Sequence, residues 1–126
     1  MNGNETKMAL GQKPITIDEQ EYIIKLEIDD ISTYIKKSAG YALRYRFYDK
    51  HDRIEDIIKV SDEINDYKTD FMIMALTNNG MPKKDANELV KRNIVEVMTN
   101  IEIWLGMTSP EKKTEFDKLK DKAKNL

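Results

Sequence analysis

Side-chain chemistry has few places to start in this chain. There is one histidine, His51, no cysteine and no glycine-rich loop. His51 lies in the polar run Asp49-Lys50-His51-Asp52, and Ser38 or Ser61 would be the hydroxyl for it to activate. Neither serine sits in a nucleophile-elbow signature, so a solvated loop histidine is expected and no catalytic residue is assigned. Di-metal sites in helical bundles take Glu-x-x-His from two helices, which one histidine cannot supply. Asp49, Asp52, Glu55 and Asp56 cluster, but no glycine stands where a calcium loop makes its sharp turn. Acids at the positive end of a helix dipole account for them. The adjacent acids Asp29/Asp30 and Asp62/Glu63 diverge on a helix instead of facing one substrate. A non-enzymatic protein without metal or cofactor is the expectation.

Two binding chemistries remain. Tyr41 to Tyr48 interleaves aromatics with Arg44 and Arg46, and with Lys83, Lys84, Lys91 and Arg92 this could form a basic stripe for nucleic acid. Alternation of that kind also describes a half-buried strand with arginines in water. The 21 basic and 23 acidic residues are well mixed and leave a net charge of −2, so no overall field gathers polyanions. Nucleic acid is therefore not the expected partner. Methionine suits surfaces that adapt to a partner, and Met72, Met74 and Met98, with Trp104, are the candidate partner-binding residues. Apolar stripes this long in a small domain point to a protein partner or to self-association as a homo-oligomer.

The elements that must position these residues follow from composition and period. At 126 residues with 40% hydrophobic content, the chain suits one domain with a real core. Residues 1–10 lack signal-peptide character, no apolar run reaches the ~18 residues of a membrane span, and a cysteine-free chain fits a reducing compartment. A cytoplasmic protein with no membrane contact is expected. Residues 1–13 read as a flexible arm, 14–106 as the globular domain and 107–126 as a C-terminal helix.

Ile15 and Ile17, then Tyr22, Ile24, Leu26 and Ile28, alternate around the polar Asp18–Glu21 and predict a β-hairpin. Asp29 or Asp30 is placed to cap a short helix carrying Ile31, Tyr34 and Ile35 and stopped by Gly40. A third strand is expected over Tyr41–Tyr48. Ile54, Ile57, Ile58, Ile64, Phe71 and Ala75 predict a helix over 52–77, ended by Asn78-Asn79-Gly80. Ala86, Leu89, Val90, Ile94, Val97, Ile101 and Leu105 predict a second over 82–105, antiparallel to the first. Thr108-Ser-Pro-Glu111 opens a last helix with only Phe116, Leu119 and Ala123 apolar. The fold class expected is α-dominated α+β.

This order of features, from Lys13-Pro-Ile-Thr-Ile-Asp-Glu-Gln-Glu-Tyr22 and Ile23-Ile-Lys-Leu-Glu-Ile28 through Ser38-Ala-Gly40, Ile54-Glu-Asp-Ile-Ile58 and Leu89 to Leu105, resembles the tail assembly chaperones of long-tailed bacteriophages and phage-like elements. The resemblance is one of layout and covers about residues 13–106. It implies a non-enzymatic factor, in the host cytoplasm, that binds the tape measure protein, keeps its apolar helices soluble and helps recruit tail tube subunits. It brings no catalytic residues. A regulatory adaptor blocking a partner protein and a small helical DNA-binding protein are the alternatives.

Overall fold

The computed structural model describes residues 11–108, and the expected C-terminal helix beyond Thr108 lies outside them. Strands β1 (Gln12–Ile17) and β2 (Gln20–Lys25) form the antiparallel hairpin, with Ile15 opposite Tyr22. Its first strand begins two residues before the expected boundary at Pro14. The connection is two residues long, and both, Asp18 and Glu19, have positive φ (49° and 66°), as a type I′ turn requires. The Asp18 N–H donates to Glu96 Oε1 at 2.9 Å, tying the turn to the helical layer. Ile15, Ile17, Ile24 and Leu26 are buried on one face, as their alternation predicts. Ile28 leaves that face: it opens a helix and is exposed.

Four helices follow: α1 (Ile28–Lys50), α2 (Ile54–Thr77), α3 (Lys83–Arg92) and α4 (Ile94–Trp104). The class is α-dominated α+β, and three expectations inside it are corrected. Neither Asp29 nor Asp30 is the N-cap of α1; Glu27 is, and its N–H donates to Asp30 Oδ2 at 3.1 Å. No helix stops at Gly40 and no strand covers Tyr41–Tyr48, since α1 runs through both. The reason is a strict three-four spacing, Ile31, Tyr34, Ser38, Tyr41, Tyr45, Tyr48, that matches Ile57, Val60, Ile64, Tyr67, Phe71, Met74 on α2. Tyr34 stacks on Phe71 (centroids 4.1 Å), Tyr41 tilts onto Tyr67 (5.8 Å), and Arg44 pairs with Glu63 (2.7 Å). The contacts advance along α1 as they retreat along α2, so the two helices are antiparallel, with the heptad seam of a coiled coil. A local period of two in the aromatics lost to that longer seam.

The third correction concerns the stripe over 82–105, which is two helices divided at Asn93. There the backbone (φ −131°, ψ 35°) leaves the helical region, and Asn93 Nδ2 donates to the Leu89 carbonyl at 3.0 Å. The Asn93 N–H is itself shared between the Leu89 and Val90 carbonyls (3.2 and 3.1 Å), so the side-chain amide adds a second bond to Leu89 at the point where the helix turns off, the kind of local bond by which asparagine favours a helix end. At the other predicted break, Gly80 (φ 102°) does end α2.

The core lies at one end, which we call the base. The hairpin, α3 and α4 surround the C-terminal half of α2, where Phe71, Met72, Ile73, Ala75 and Leu76 are all buried. Asn78 Nδ2 holds the Lys25 carbonyl (3.1 Å) and Asn100 Nδ2 the Thr16 carbonyl (3.0 Å), fastening the hairpin to α2 and α4. From about Lys36 to Asp66 the α1/α2 hairpin projects as an arm. Among the described residues of this arm Val60 alone is fully buried.

Candidate protein-binding site

A groove crosses the base where the start of α1 meets the end of α2. Asp30 and Thr33 of α1 and Tyr67, Asp70, Phe71 and Met74 of α2 line a depression of about 270 Å³. Asp70 and Met74 also border the neighbouring hollow of about 420 Å³, which continues past Ile73 and Thr77 to Lys83 and Asn87 of α3. Phe71 and Ile73 are buried beneath this surface and Met74 is half-buried on it. The floor is therefore aromatic and aliphatic, the rim carries Asp30, Asp70 and Lys83, and an adaptable thioether sits between. A concave apolar floor with a few polar groups at its margin can bind an apolar side chain or helix ridge and fix its orientation.

The floor is held by a polar tie behind it. Tyr34, fully buried, donates its hydroxyl to Glu102 Oε1 at 2.8 Å, and Lys68 Nζ reaches the same oxygen at 2.6 Å. Three helices thus meet at one carboxylate. Burial, then the Glu102 charge, pushes the Tyr34 phenol far above its ordinary range, and burial raises Tyr67 as well. Tyr34 therefore stays protonated at neutral pH and is the donor of the tie. On the arm, the hydrogen bond from Arg44 lowers the Glu63 carboxyl.

The four sequence candidates are not brought together. Met74 alone lines the groove. Met72 is sealed in the core, while Met98 and Trp104 pack half-buried against it from α4. Methionine content could not separate these fates, because the stripe of α2 wraps around the helix where the base encloses it. The arm also leaves Leu43, Phe47, Ile54 and Ile58 exposed, although Ile54 and Ile58 belong to the apolar stripe expected over 52–77. A signal existed: each pair is spaced by four and lies off the heptad seam.

His51 is exposed at the end of α1, its ring 4.6 Å from Phe47. Ser38 lies roughly 20 Å back along α1 at 1.5 Å per residue, and Ser61 roughly 10 Å into α2, so His51 activates neither. Of the acidic cluster, Asp56 pairs with Arg53 at 2.6 Å, and among the described residues no group of three or more acids or histidines could hold a metal. The basic stripe divides, since Arg44 and Arg46 are on the arm and Lys83, Lys84, Lys91 and Arg92 on α3 at the base. No described helix is long and apolar enough to cross a membrane. No family model, curated protein or solved structure matches the chain.

Proposed function

We propose that the protein is a non-enzymatic assembly factor that binds an apolar helix of a longer partner, in the manner of the tail assembly chaperones its layout resembles. The observation that carries this reading is the open groove in which Met74 lies over buried Phe71 and Ile73 between the acids Asp30 and Asp70 and the base Lys83. An amphipathic helix presents ridges at positions i, i+3, i+4 and i+7 that such a groove accepts. Burial of apolar area at ~25 cal/mol per Å² drives the contact, and methionine adjusts to different residues along a repetitive client. The tape measure protein is the client implied, with tail tube subunits as further partners and the host cytoplasm as the compartment.

Co-expression with the long helical protein encoded beside this chain is the test. The client stays soluble and co-purifies, the complex survives high salt, and Met74→Glu abolishes capture while leaving circular dichroism unchanged. A client that is insoluble with or without the protein refutes the reading. Binding that instead falls ~10³-fold or more between 50 and 200 mM salt identifies a nucleic-acid contact, and a stable complex with a host enzyme identifies an adaptor.

A further inference from the structure

The two edges of the hairpin end differently. The Leu26 N–H donates to Gly11 O, so the pairs Lys13/Ile24, Ile15/Tyr22 and Ile17/Gln20 exchange the ladder bonds, and the pairs between them turn their backbone groups outward. On β1 the outward residues include Pro14, which has no N–H, and Thr16, whose carbonyl accepts from Asn100 Nδ2. That edge is closed to a further strand. On β2 the outward residues are Glu21, Ile23 and Lys25, and the Lys25 carbonyl is held by Asn78 Nδ2. Glu21 and Ile23 remain: among the described residues, nothing bonds their outward N–H and carbonyl groups. Beside them a hollow of about 480 Å³ opens between β2 and α3, walled by Tyr22, Met81 and Leu89 and bordered by Asp85, Glu88 and Arg92.

We propose that this edge of β2 takes one extended segment of a partner protein as a third, antiparallel strand, with two apolar residues followed by a basic one. Main-chain bonds give such a contact its attachment and alternate side chains its selectivity. An antiparallel strand exchanges two bonds with Ile23 and two with Glu21. Its residue opposite Ile23 joins the outer face that Ile23 shares with Pro14, and is apolar. The next residue points to the face of Tyr22 and drops into the hollow over Met81 and Leu89, where an aromatic or long aliphatic side chain fits. The third faces Glu21 and is lysine or arginine, because Glu21, Asp85 and Glu88 outweigh Arg92 around the opening. A second copy is not the occupant. Pairing β2 with β2 would need room beneath the added strand for that copy's α2, which packs against its own β2, and α3 walls that space. The inference goes beyond client-helix capture: the Met74 groove reaches α3 at Lys83 and Asn87, on the opposite face from Asp85, Glu88 and Arg92.

Amide-detected NMR of the full chain, titrated with the acetylated and amidated peptide Ser-Thr-Val-Phe-Lys-Thr-Ser up to ~1 mM, tests it. The Glu21 and Ile23 amides shift and exchange more slowly with solvent as the peptide binds. Methylating the backbone nitrogens of its valine and lysine removes the donors to the Ile23 and Glu21 carbonyls and weakens binding at least ~10-fold. Glu21→Lys weakens it ~3-fold or more, and a peptide with glutamate in place of the lysine then binds that variant better than it binds the wild type. Ile23→Pro closes this edge as Pro14 closes the other and abolishes the shifts; should that variant not fold, the methylated peptide decides. Met74→Glu leaves this binding unchanged. Glu21 and Ile23 amides unmoved at millimolar peptide overturn the proposal. So do indifference to backbone methylation, shifts confined to the Met74 groove, or protection of Glu21 and Ile23 that arises by self-association without peptide.

Discussion

Replacing Glu102 with alanine tests the account of how the base is held. Its Oε1 accepts from Tyr34 and from Lys68, joining α1, α2 and α4 at one atom. Removal leaves the Tyr34 hydroxyl, at 0% residue exposure, without this acceptor. A buried polar group stranded in this way costs about 1–3 kcal/mol. Lys68 also loses a charge-assisted bond, but its side chain is 18% exposed and can turn to water, so the added loss is about 1 kcal/mol. The expected total is about 3 kcal/mol, measured by urea unfolding followed by circular dichroism, with the m-value unchanged. Tyr34→Phe alone leaves Glu102 paired with Lys68 and costs about 1 kcal/mol. Because the phenylalanine has no hydroxyl to strand, the double variant is more stable than the sum of the singles implies, with a coupling of about 1 kcal/mol or more. A Glu102→Ala loss under ~0.5 kcal/mol, or strict additivity in the cycle, refutes the tie.

Other outcomes follow from the same geometry. The Tyr34 phenol is raised above the ordinary tyrosine value, so its contribution is complete below about pH 10 and is lost as the pH climbs beyond it; a urea midpoint that falls there in the wild type and much less in Tyr34→Phe shows this. Gly40 lies inside α1 and a Cβ there meets nothing within 4 Å, so Gly40→Ala stabilises by ~0.8–1 kcal/mol; destabilisation would mean that the helix ends there after all. Glu19 holds a φ of 66° that glycine adopts freely, and Glu19→Gly raises the thermal midpoint by an amount equivalent to ~0.5 kcal/mol. Gly11 (φ 86°) would place a Cβ 2.5 Å from the Leu26 carbonyl oxygen, so Gly11→Ala lowers the midpoint and loosens amide protection at Leu26, whose N–H donates to Gly11 O.

Much was legible without coordinates because it depends on neighbours in the chain. The alternation of Ile15, Ile17, Ile24 and Leu26, the polar turn between them, and the Asn78-Asn79-Gly80 stop are local signals, and each is realised where it stands. So are the exposed place of His51 and the helix expected over 52–77, which begins two residues later at Ile54. The partition between surface and core was not local. Met72 and Met74 are two residues apart on one helix, yet only the packing of the hairpin, α3 and α4 around α2 buries the first and leaves the second in a groove. Tyr41 to Tyr48 carries a strand-like period of two and a coiled-coil spacing at once, and it is the partner stripe on α2, some twenty residues on, that makes it helix. At Asn93 a continuous apolar period is divided where the backbone leaves the helical region and the side-chain amide bonds a carbonyl one turn back. The tie of Tyr34, Lys68 and Glu102 spans 68 residues, and no spacing rule joins them. Composition and period thus determined the hairpin and the helical character of most of the rest, since those depend on contacts within a few residues, but not the helix over Tyr41–Tyr48 or the break at Asn93. Tertiary packing decided which faces of those segments meet, and so which apolar side chains became core and which were left open for a partner.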